Sequence, residues 1–161
     1  MTPRIEIISE KKLVGTKIRM SIVHDKTSEL WRGFMPKIKT IFNPLTTDLI
    51  CLQAFDASFQ FKDYCQNTLF DKWAAIEVAS FDTVPADLET YTLPGVLYAV
   101  FLHKGAAATA AKTFEYIYET WLLNADYEFD NRPQFEVLGG KYKNNDPTSE
   151  EEIWVPIKRR S

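Results

Sequence analysis

Residues 150–157 read Glu-Glu-Glu-Ile-Trp-Val-Pro-Ile, an apolar and aromatic run that opens with carboxylates. Such a run is typical of a strand, in which successive side chains point to opposite faces. Its isoleucines and its valine share one face, which we expect to be core, while Glu152 and Trp154 share the other. A carboxylate beside an indole suits an apolar pocket that holds a cation or needs a general base. The run therefore predicts a pocket strand.

The chain before this strand predicts two units of similar order, over residues 11–81 and 96–158. Each has the order strand, helix, strand, strand, and the displacement of roughly 80 positions indicates a duplicated unit. Alternating or apolar runs predict the strands at 13–23, 49–55 and 73–81, and at 96–103, 134–138 and 152–157. The predicted fold class is α+β: the duplicated units form one antiparallel sheet, with two helices on one face and a central cleft where the units meet.

Apolar stripes at helical spacing predict one helix in each unit. The first begins at an N-cap signal, Thr27-Ser28, and Pro36 falls inside its stripe, so we expect a kink or an end there. The second helix covers residues 106–123, and a short edge strand is expected at 5–9. The connector 82–94 contains two prolines and several acidic residues, which favour a hinge or linker between the units.

Composition limits the class of protein. The 161 residues are 45% hydrophobic and 25% charged, which suits one well-formed core, so we expect a single domain over residues 1–161. The net charge of -3 argues against direct nucleic-acid binding, and no apolar run is long enough to span a membrane, so we expect a cytoplasmic protein. Two cysteines and two histidines, each isolated in sequence, predict neither a disulfide framework nor a metal site. No cofactor is expected because no nucleotide- or phosphate-binding motif occurs, and the oligomeric state stays open.

Short motifs along the whole chain resemble those of a known family. In the second unit they are Tyr98-Ala99-Val100-Phe101 before Lys104-Gly105, then Phe135-Glu136-Val137, and last Glu152-Ile153-Trp154-Val155-Pro156-Ile157. In the first unit, Lys72-Trp73-Ala74-Ala75-Ile76-Glu77-Val78 is similar to the matching strand of stand-alone relatives. From about residue 3 to residue 158, the chain resembles the GyrI-like small-molecule-binding family, which also supplies effector-binding domains of some bacterial transcription regulators. No DNA-binding domain precedes the resemblance, so we expect a stand-alone member.

The resemblance implies a pocket for bulky, planar, lipophilic and often cationic compounds, with a central glutamate on the last strand that Glu152 matches. Some stand-alone relatives hydrolyse cyclopropanoid DNA-alkylating toxins with an acidic residue and aromatics of this pocket, and one relative inhibits DNA gyrase. One departure is Leu138, where many relatives have a tyrosine. Three functions stay open: binding or sequestration of a small aromatic or cationic ligand, toxin hydrolysis with Glu152 as catalytic residue, and inhibition of a protein partner such as gyrase.

The candidate ligand-binding residues are Glu152, Trp154, Trp73, Glu77, Tyr98 and Trp121. Glu152 would supply the counter-charge, and the aromatic rings would stack on the ligand. Trp73 and Glu77 share a strand face and, by the repeat, are counterparts of the Glu152 region. Each candidate has a simpler alternative, because aromatics at alternating spacing usually belong to a core and surface carboxylates are usually solvated. Glu136 lies on the strand face opposite its apolar neighbours, where a solvated position and a pocket position both stay open.

Overall fold

The computed structural model describes residues 1–143 and 145–161. These residues form nine strands: β1 Arg4–Ile8, β2 Lys11–Met20, β3 Leu49–Ala54, β4 Phe70–Val78, β5 Glu89–Leu93, β6 Val96–Lys104, β7 Tyr127–Phe129, β8 Gln134–Leu138 and β9 Glu150–Arg159. The predicted strands are present as β2, β3 and β4 in the first unit and as β6, β8 and β9 in the second. Their ends differ from the predicted ends by a few residues.

Neighbouring strands are antiparallel and form one sheet. The strand order is β1-β6-β9-β8-β3-β4-β2-β5, and β7 pairs with the C-terminal end of β9. The two units meet at the β3–β8 pair, where Cys51 lies opposite Glu136. In both units the last strand is central, since β4 lies between β2 and β3 while β9 lies between β6 and β8. The predicted sheet of two similar units is confirmed.

One edge strand, β1, lies close to the predicted range 5–9, whereas the other, β5, lies where no strand is predicted. β5 lies inside the connector 82–94, so the prediction of a hinge or linker is wrong for its residues. β5 precedes the second unit in the chain but pairs with β2 of the first, and β1 precedes the first unit but pairs with β6 of the second. The units thus exchange their leading strands, and this exchange joins them into one sheet.

The exchanged strands cross where β1 connects to β2 and β5 connects to β6. Gly95 packs so closely there that a Cβ atom would clash with the carbonyl oxygen of Ile8. Val96 has a φ of 86°, a conformation that β-branched residues rarely adopt. The guanidinium of Arg132 donates hydrogen bonds to the carbonyl oxygens of Gly95 at 2.7 Å and Leu97 at 2.6 Å. These contacts hold the crossing together and bring the two ends of the sheet towards each other.

Each unit has one helical segment after its first strand. α1, Thr27–Phe34, passes into a 3-10 helix, Met35–Thr40, at Pro36, as predicted. In the second unit a 3-10 turn, Ala107–Thr109, leads into α2, Ala110–Tyr116, a π-helical turn, Ile117–Trp121, and α3, Leu122–Asn124. A separate 3-10 turn, Phe61–Asp63, lies in the β3–β4 connection. Within residues 1–143 and 145–161, no helix is long and apolar enough to cross a membrane.

Both helical segments pack on the same face of the sheet, which we call the helix face. α1 covers one apolar cluster around Ala74 and Ile76, and the second segment covers another around Ile153 and Val155. The opposite face, which we call the aromatic face, carries a third cluster that includes Trp73, Tyr98, Phe135 and Trp154. The curvature of the sheet and the crossing connections bury this third cluster.

Candidate functional site

The structure brings five of the six candidate residues to the aromatic face: Glu152, Trp154, Trp73, Glu77 and Tyr98. The rings are packed against one another. Trp154 stacks on Phe135 with centroids 5.3 Å apart, and Tyr98 meets both rings edge-on. Trp73 packs edge-on against another ring of this face, that of Tyr91. With 7% or less of Trp154, Trp73 and Tyr98 exposed, these three rings form the interior of the curled sheet and offer a ligand little surface.

The two candidate carboxylates lie at the rim of the aromatic face, and each has a cationic partner. Glu152 accepts a hydrogen bond from Arg4 at 2.9 Å and another from Trp154 Nε1 at 3.2 Å. A Glu77 oxygen lies 3.5 Å from Lys11 Nζ. Both side chains are partly exposed. The role of Glu152 as a counter-charge or catalytic residue stays a prediction, and its pair with Arg4 would have to open for it.

Trp121 lies on the helix face and is separated by the sheet from the other five candidates. Its ring packs edge-on against Phe101, with centroids 5.2 Å apart, and stacks near Tyr127 at 6.4 Å. These contacts belong to the apolar cluster under the second helical segment. The six candidates therefore do not form one site.

Polar side chains occupy the centre of the helix face, between the clusters under the two helical segments. Strand register places Lys72, Cys51, Gln134, Glu136 and Glu151 on this face, and we call this set the polar cleft. Four of them are buried, and Glu136 is half-buried. Buried ionisable groups are costly unless paired, and they concentrate at functional sites. Four strands thus bring together groups that a purely structural core would not need.

Glu136 and Glu151 are neighbouring carboxyl groups. Burial, then the charge of Glu136 and a hydrogen bond with it, raise the pKa of Glu151 to about 8, against the opposing effect of Lys72. Glu151 therefore holds a proton at neutral pH, and its hydrogen bond with Glu136 shares this proton between the two carboxyl groups. His103 lies opposite Glu151 on β6, but its ring is hydrogen-bonded to Thr113 Oγ1 at 2.7 Å. The helical segment holds this imidazole, and Glu136 is left as the close partner of Glu151.

Lys72 is the cation of the cleft. Burial lowers its pKa, but Cys51, Glu136 and Asp25 raise it, and the net shift is upward. Burial raises the pKa of the Cys51 thiol to about 11. Because Cys51 is then a neutral thiol at neutral pH, Glu136 and Asp25 are the charges that keep Lys72 protonated. Cys65, the second cysteine, is free and exposed.

Gln134 adds an amide to the cleft, two residues before Glu136 on β8. Its Oε1 accepts a hydrogen bond from the Tyr118 hydroxyl at 2.9 Å. Its Nε2 is buried and has no hydrogen-bond partner among the residues that the structure describes. An unsatisfied buried donor costs about 1–3 kcal/mol, so it marks a place where a bound group can supply an acceptor.

Two helical segments and a loop supply aromatic walls. Trp31 of α1 lies close enough to Cys51 to affect the pKa of its thiol, and Tyr118 reaches the cleft from the π-helical turn. Phe61, from the loop between β3 and β4, packs against Tyr118 with centroids 5.5 Å apart and against Phe129 at 5.1 Å. The rings of Trp31 and Tyr118 are half-buried, so part of each is available for contact.

Two further tyrosines lie at the ends of the cleft. Tyr64, from the same loop as Phe61, is close enough to Lys72 to feel its charge, and Tyr142 is close enough to Glu151 and Glu136 to feel theirs. Burial raises the pKa of both phenols, so both hydroxyls are neutral donors near neutral pH. The cleft is therefore a charged centre within a ring of aromatic side chains.

A groove of about 380 Å³ opens where β8 and β9 diverge, and it reaches Glu151. Its lining includes the carboxylates of Asp48, Glu150 and Glu152. Lys141 also lines it, with Nζ 3.4 Å from Glu150. Glu150 also lies 3.9 Å from Lys104 Nζ and Glu152 pairs with Arg4, so nearby cations balance most of the carboxylates of this groove.

The predicted pocket contains Glu152 of β9, whereas the polar cleft contains the preceding residue of the same strand, Glu151. Glu151 has the parity of Ile153, on the face expected to be core, and a carboxylate on a core face is the signal that identifies it. Lys72 carries the same signal because it shares a face with Ala74. Cys51 and Gln134 have no comparable signal, since their proximity to the carboxylates depends on strand order.

Comparison with known proteins gives related chains and folds. The transcriptional regulator BrlR of Pseudomonas aeruginosa is 28% identical over 149 residues, which cover 90% of this chain and 51% of that protein. The chain thus spans about half the length of this curated relative. The C-terminal domain of EcmrR has a TM-score of 0.72 at 16% identity, covering 99% of this chain and 98% of that one. SAV2435 bound to tetraphenylphosphonium has a TM-score of 0.70 at 18% identity, covering 98% of this chain and 94% of that one.

The two structural likenesses show the fold, and they confirm the predicted GyrI-like architecture. The family is decided by a separate match. The model of the Cass2 family, described as integron-associated effector binding protein, matches residues 4–157. This range contains both units of the sheet and every residue of the polar cleft. The chain therefore belongs to the family of integron-associated effector-binding proteins, which are small-molecule-binding domains.

Proposed function

We propose that the protein binds or sequesters bulky aromatic, lipophilic and often cationic compounds, such as drugs or toxins, in the polar cleft. The observation that carries this proposal is the carboxyl pair of Glu136 and Glu151 within a ring of aromatic side chains. A desolvated carboxylate attracts an organic cation more strongly than an exposed one, because water screens the charge less. Aromatic faces such as those of Trp31 and Tyr118 add cation–π attraction.

A bound cation would take the place of the proton that the two carboxyl groups share. Two neighbouring carboxylates do not both ionise readily without a positive partner. Since the pKa of Glu151 is about 8, a cation that binds at neutral pH displaces a proton, and its affinity should increase as the pH rises towards 8. SAV2435, which shares the fold, was solved with the lipophilic cation tetraphenylphosphonium, and this supports the ligand class.

The test compares two adjacent glutamates on opposite faces of β9. Tetraphenylphosphonium is titrated into the wild type, Glu151→Gln and Glu152→Gln, and the heat of binding is measured. We expect Glu151→Gln to weaken binding about tenfold or more, because its amide cannot release the proton that the cation displaces in the wild type, and one carboxylate is left where the wild type offers two. We expect Glu152→Gln to stay within about twofold, because a partly exposed, ion-paired carboxylate contributes little.

Three outcomes would contradict parts of this proposal. A larger loss in Glu152→Gln would place the counter-charge at the rim of the aromatic face. Equal losses for the cation and for a neutral compound of the same shape would remove the electrostatic argument. Failure of the wild type to bind any lipophilic cation, with the fold intact by circular dichroism, would reject the function itself.

A second candidate function is hydrolysis of an electrophilic small molecule, such as a cyclopropanoid alkylating toxin. The sharing of one proton by Glu136 and Glu151 favours it, because a protonated carboxyl can activate the leaving atom while an ionised one takes a proton from water. The test is chromatographic loss of the toxin with wild type, Glu151→Gln and Glu136→Gln. Loss that both substitutions abolish would support turnover, and an unchanged toxin would leave binding as the function.

A further inference from the structure

The polar cleft holds buried donors as well as carboxylates. Gln53 of β3 pairs with Lys72 on β4 and with Gln134 on β8, so the three residues form one row across the sheet. Neighbouring strands lie about 4.8 Å apart, which puts Lys72 and Gln134 about 10 Å apart at the backbone. Both are more than nine-tenths buried, with 8% and 4% of their surface exposed. Glu136 lies in the next row on the same face, beside Gln134.

The protein does not satisfy these donors fully. Tyr118 occupies the amide oxygen of Gln134, and the Nε2 of this amide has no hydrogen-bond partner among the described residues. The near neighbour of Lys72 is Cys51, whose sulfur is a weak acceptor. The cleft therefore presents a charged donor and a neutral donor at positions where a bound acceptor would meet both.

The cleft holds ionisable groups of both signs. Glu136 and Glu151 are its neighbouring carboxyl groups and Lys72 is its cation, with Asp25 also close enough to Lys72 to raise its pKa. A purely cationic ligand would gain from the carboxyl pair but would be repelled by Lys72. A ligand that also carries an anion would gain at both ends and would satisfy the free amide of Gln134.

We propose that the ligand of this protein is amphoteric: an aromatic compound whose basic group binds the Glu136–Glu151 pair and whose anionic group, such as a carboxylate, binds Lys72 and Gln134. This inference rests on the proposed binding function and narrows its ligand class. Strand β8 sets the geometry, because Gln134 and Glu136 are two residues apart on one face, which separates the two groups of the ligand by about 7 Å at the backbone.

The test uses two dyes that share one chromophore. Rhodamine B carries a carboxylate beside its cationic ring system, and its ethyl ester is a cation only. Fluorescence anisotropy at neutral pH gives the affinity of each dye for the wild type, Lys72→Met, Gln134→Leu and, as a control, Lys17→Met. Lys17 lies on the aromatic face of β2, so its removal takes away one lysine without touching the cleft.

We expect the wild type to bind rhodamine B about tenfold more tightly than the ester, as for a hydrogen-bonded charge pair. Lys72→Met should remove this preference by weakening rhodamine B and tightening the ester, Gln134→Leu should reduce it, and Lys17→Met should leave it unchanged. Equal or tighter binding of the ester by the wild type would overturn the inference. This comparison uses the wild type alone, so it does not depend on whether the variants fold. Binding of tetraphenylphosphonium without either dye would also overturn it, whereas binding of no cation at all would reject the proposed function.

Discussion

The two faces of β9 give similar carboxylates different surroundings. Glu152 lies at the rim of the aromatic face, partly exposed, and accepts a hydrogen bond from Arg4 at 2.9 Å. Glu151, the residue before it, is buried on the helix face beside Glu136, with a pKa raised to about 8. The aromatic face is filled by its own rings, whereas the helix face is shared between two helical segments with polar groups at its centre. What covers a face therefore decides which carboxylate is available for a ligand.

The largest expected effect is a loss of stability, and it tests whether the aromatic face is part of the hydrophobic core. Trp154→Ala removes a buried ring that stacks on Phe135, and we expect it to lower the free energy of unfolding by about 3–5 kcal/mol in urea denaturation. Tetraphenylphosphonium affinity of the protein that stays folded should change little. Trp31→Ala, the matched variant on the helix face, should lose less stability and more affinity. The reverse pattern would make the aromatic face the ligand surface.

The next effect is the pH dependence of stability. The pKa of Glu151 is about 8 in the folded protein and near its ordinary value of 4.5 when unfolded, so the folded state binds more protons between these limits. Stability from this group is therefore full below about pH 4.5 and falls as the pH rises to 8, by at most about 5 kcal/mol at about 1.4 kcal/mol per pKa unit, and by less because solvent screens part of the charge. In urea denaturation across this range, the free energy of unfolding of Glu151→Gln should depend less on pH than that of the wild type. Near pH 8 this variant should be the more stable of the two.

Glu152→Gln is the control for that measurement, since it alters the same strand without altering the carboxyl pair. Its pH profile should parallel the wild type. If Glu151→Gln and Glu152→Gln gave the same slope, the carboxyl pair would not be the source of the pH dependence, and the contrast between the two faces would lose its electrostatic basis.

The smallest expected effect concerns the rim. Arg4→Met breaks the ion pairs with Glu152 and Glu6, and exposed pairs of this kind contribute about 0.2–1 kcal/mol. Unfolding in urea should show a loss within this range, with tetraphenylphosphonium affinity unchanged. Lys11→Met, which breaks the pair with Glu77, should behave alike. A gain in cation affinity after Arg4→Met would show that a freed Glu152 attracts the ligand.

Local sequence patterns predicted most of the strands and both helices because side-chain alternation and helical stripes are local properties. Pro36 marked the end of α1 for the same reason. The sequence did not predict β5, because the prolines and acidic residues around it resemble a linker while its pairing with β2 is a long-range contact. Residue type alone groups Trp121 with the pocket, but the helical segment carries it to the other face of the sheet.

The sequence by itself determined the alternation of β9, and hence that Glu151 and Glu152 lie on opposite faces. Only the tertiary structure decided which face closes on itself and which keeps a polar centre. The physical reason is that alternation only assigns each side chain of a strand to one of two faces. Which face is then covered depends on the elements that pack on it. The exchange of β1 and β5 curls the sheet over the aromatic rings, and the order of β4, β3, β8 and β9 gathers Lys72, Gln134 and the carboxyl pair from distant parts of the chain.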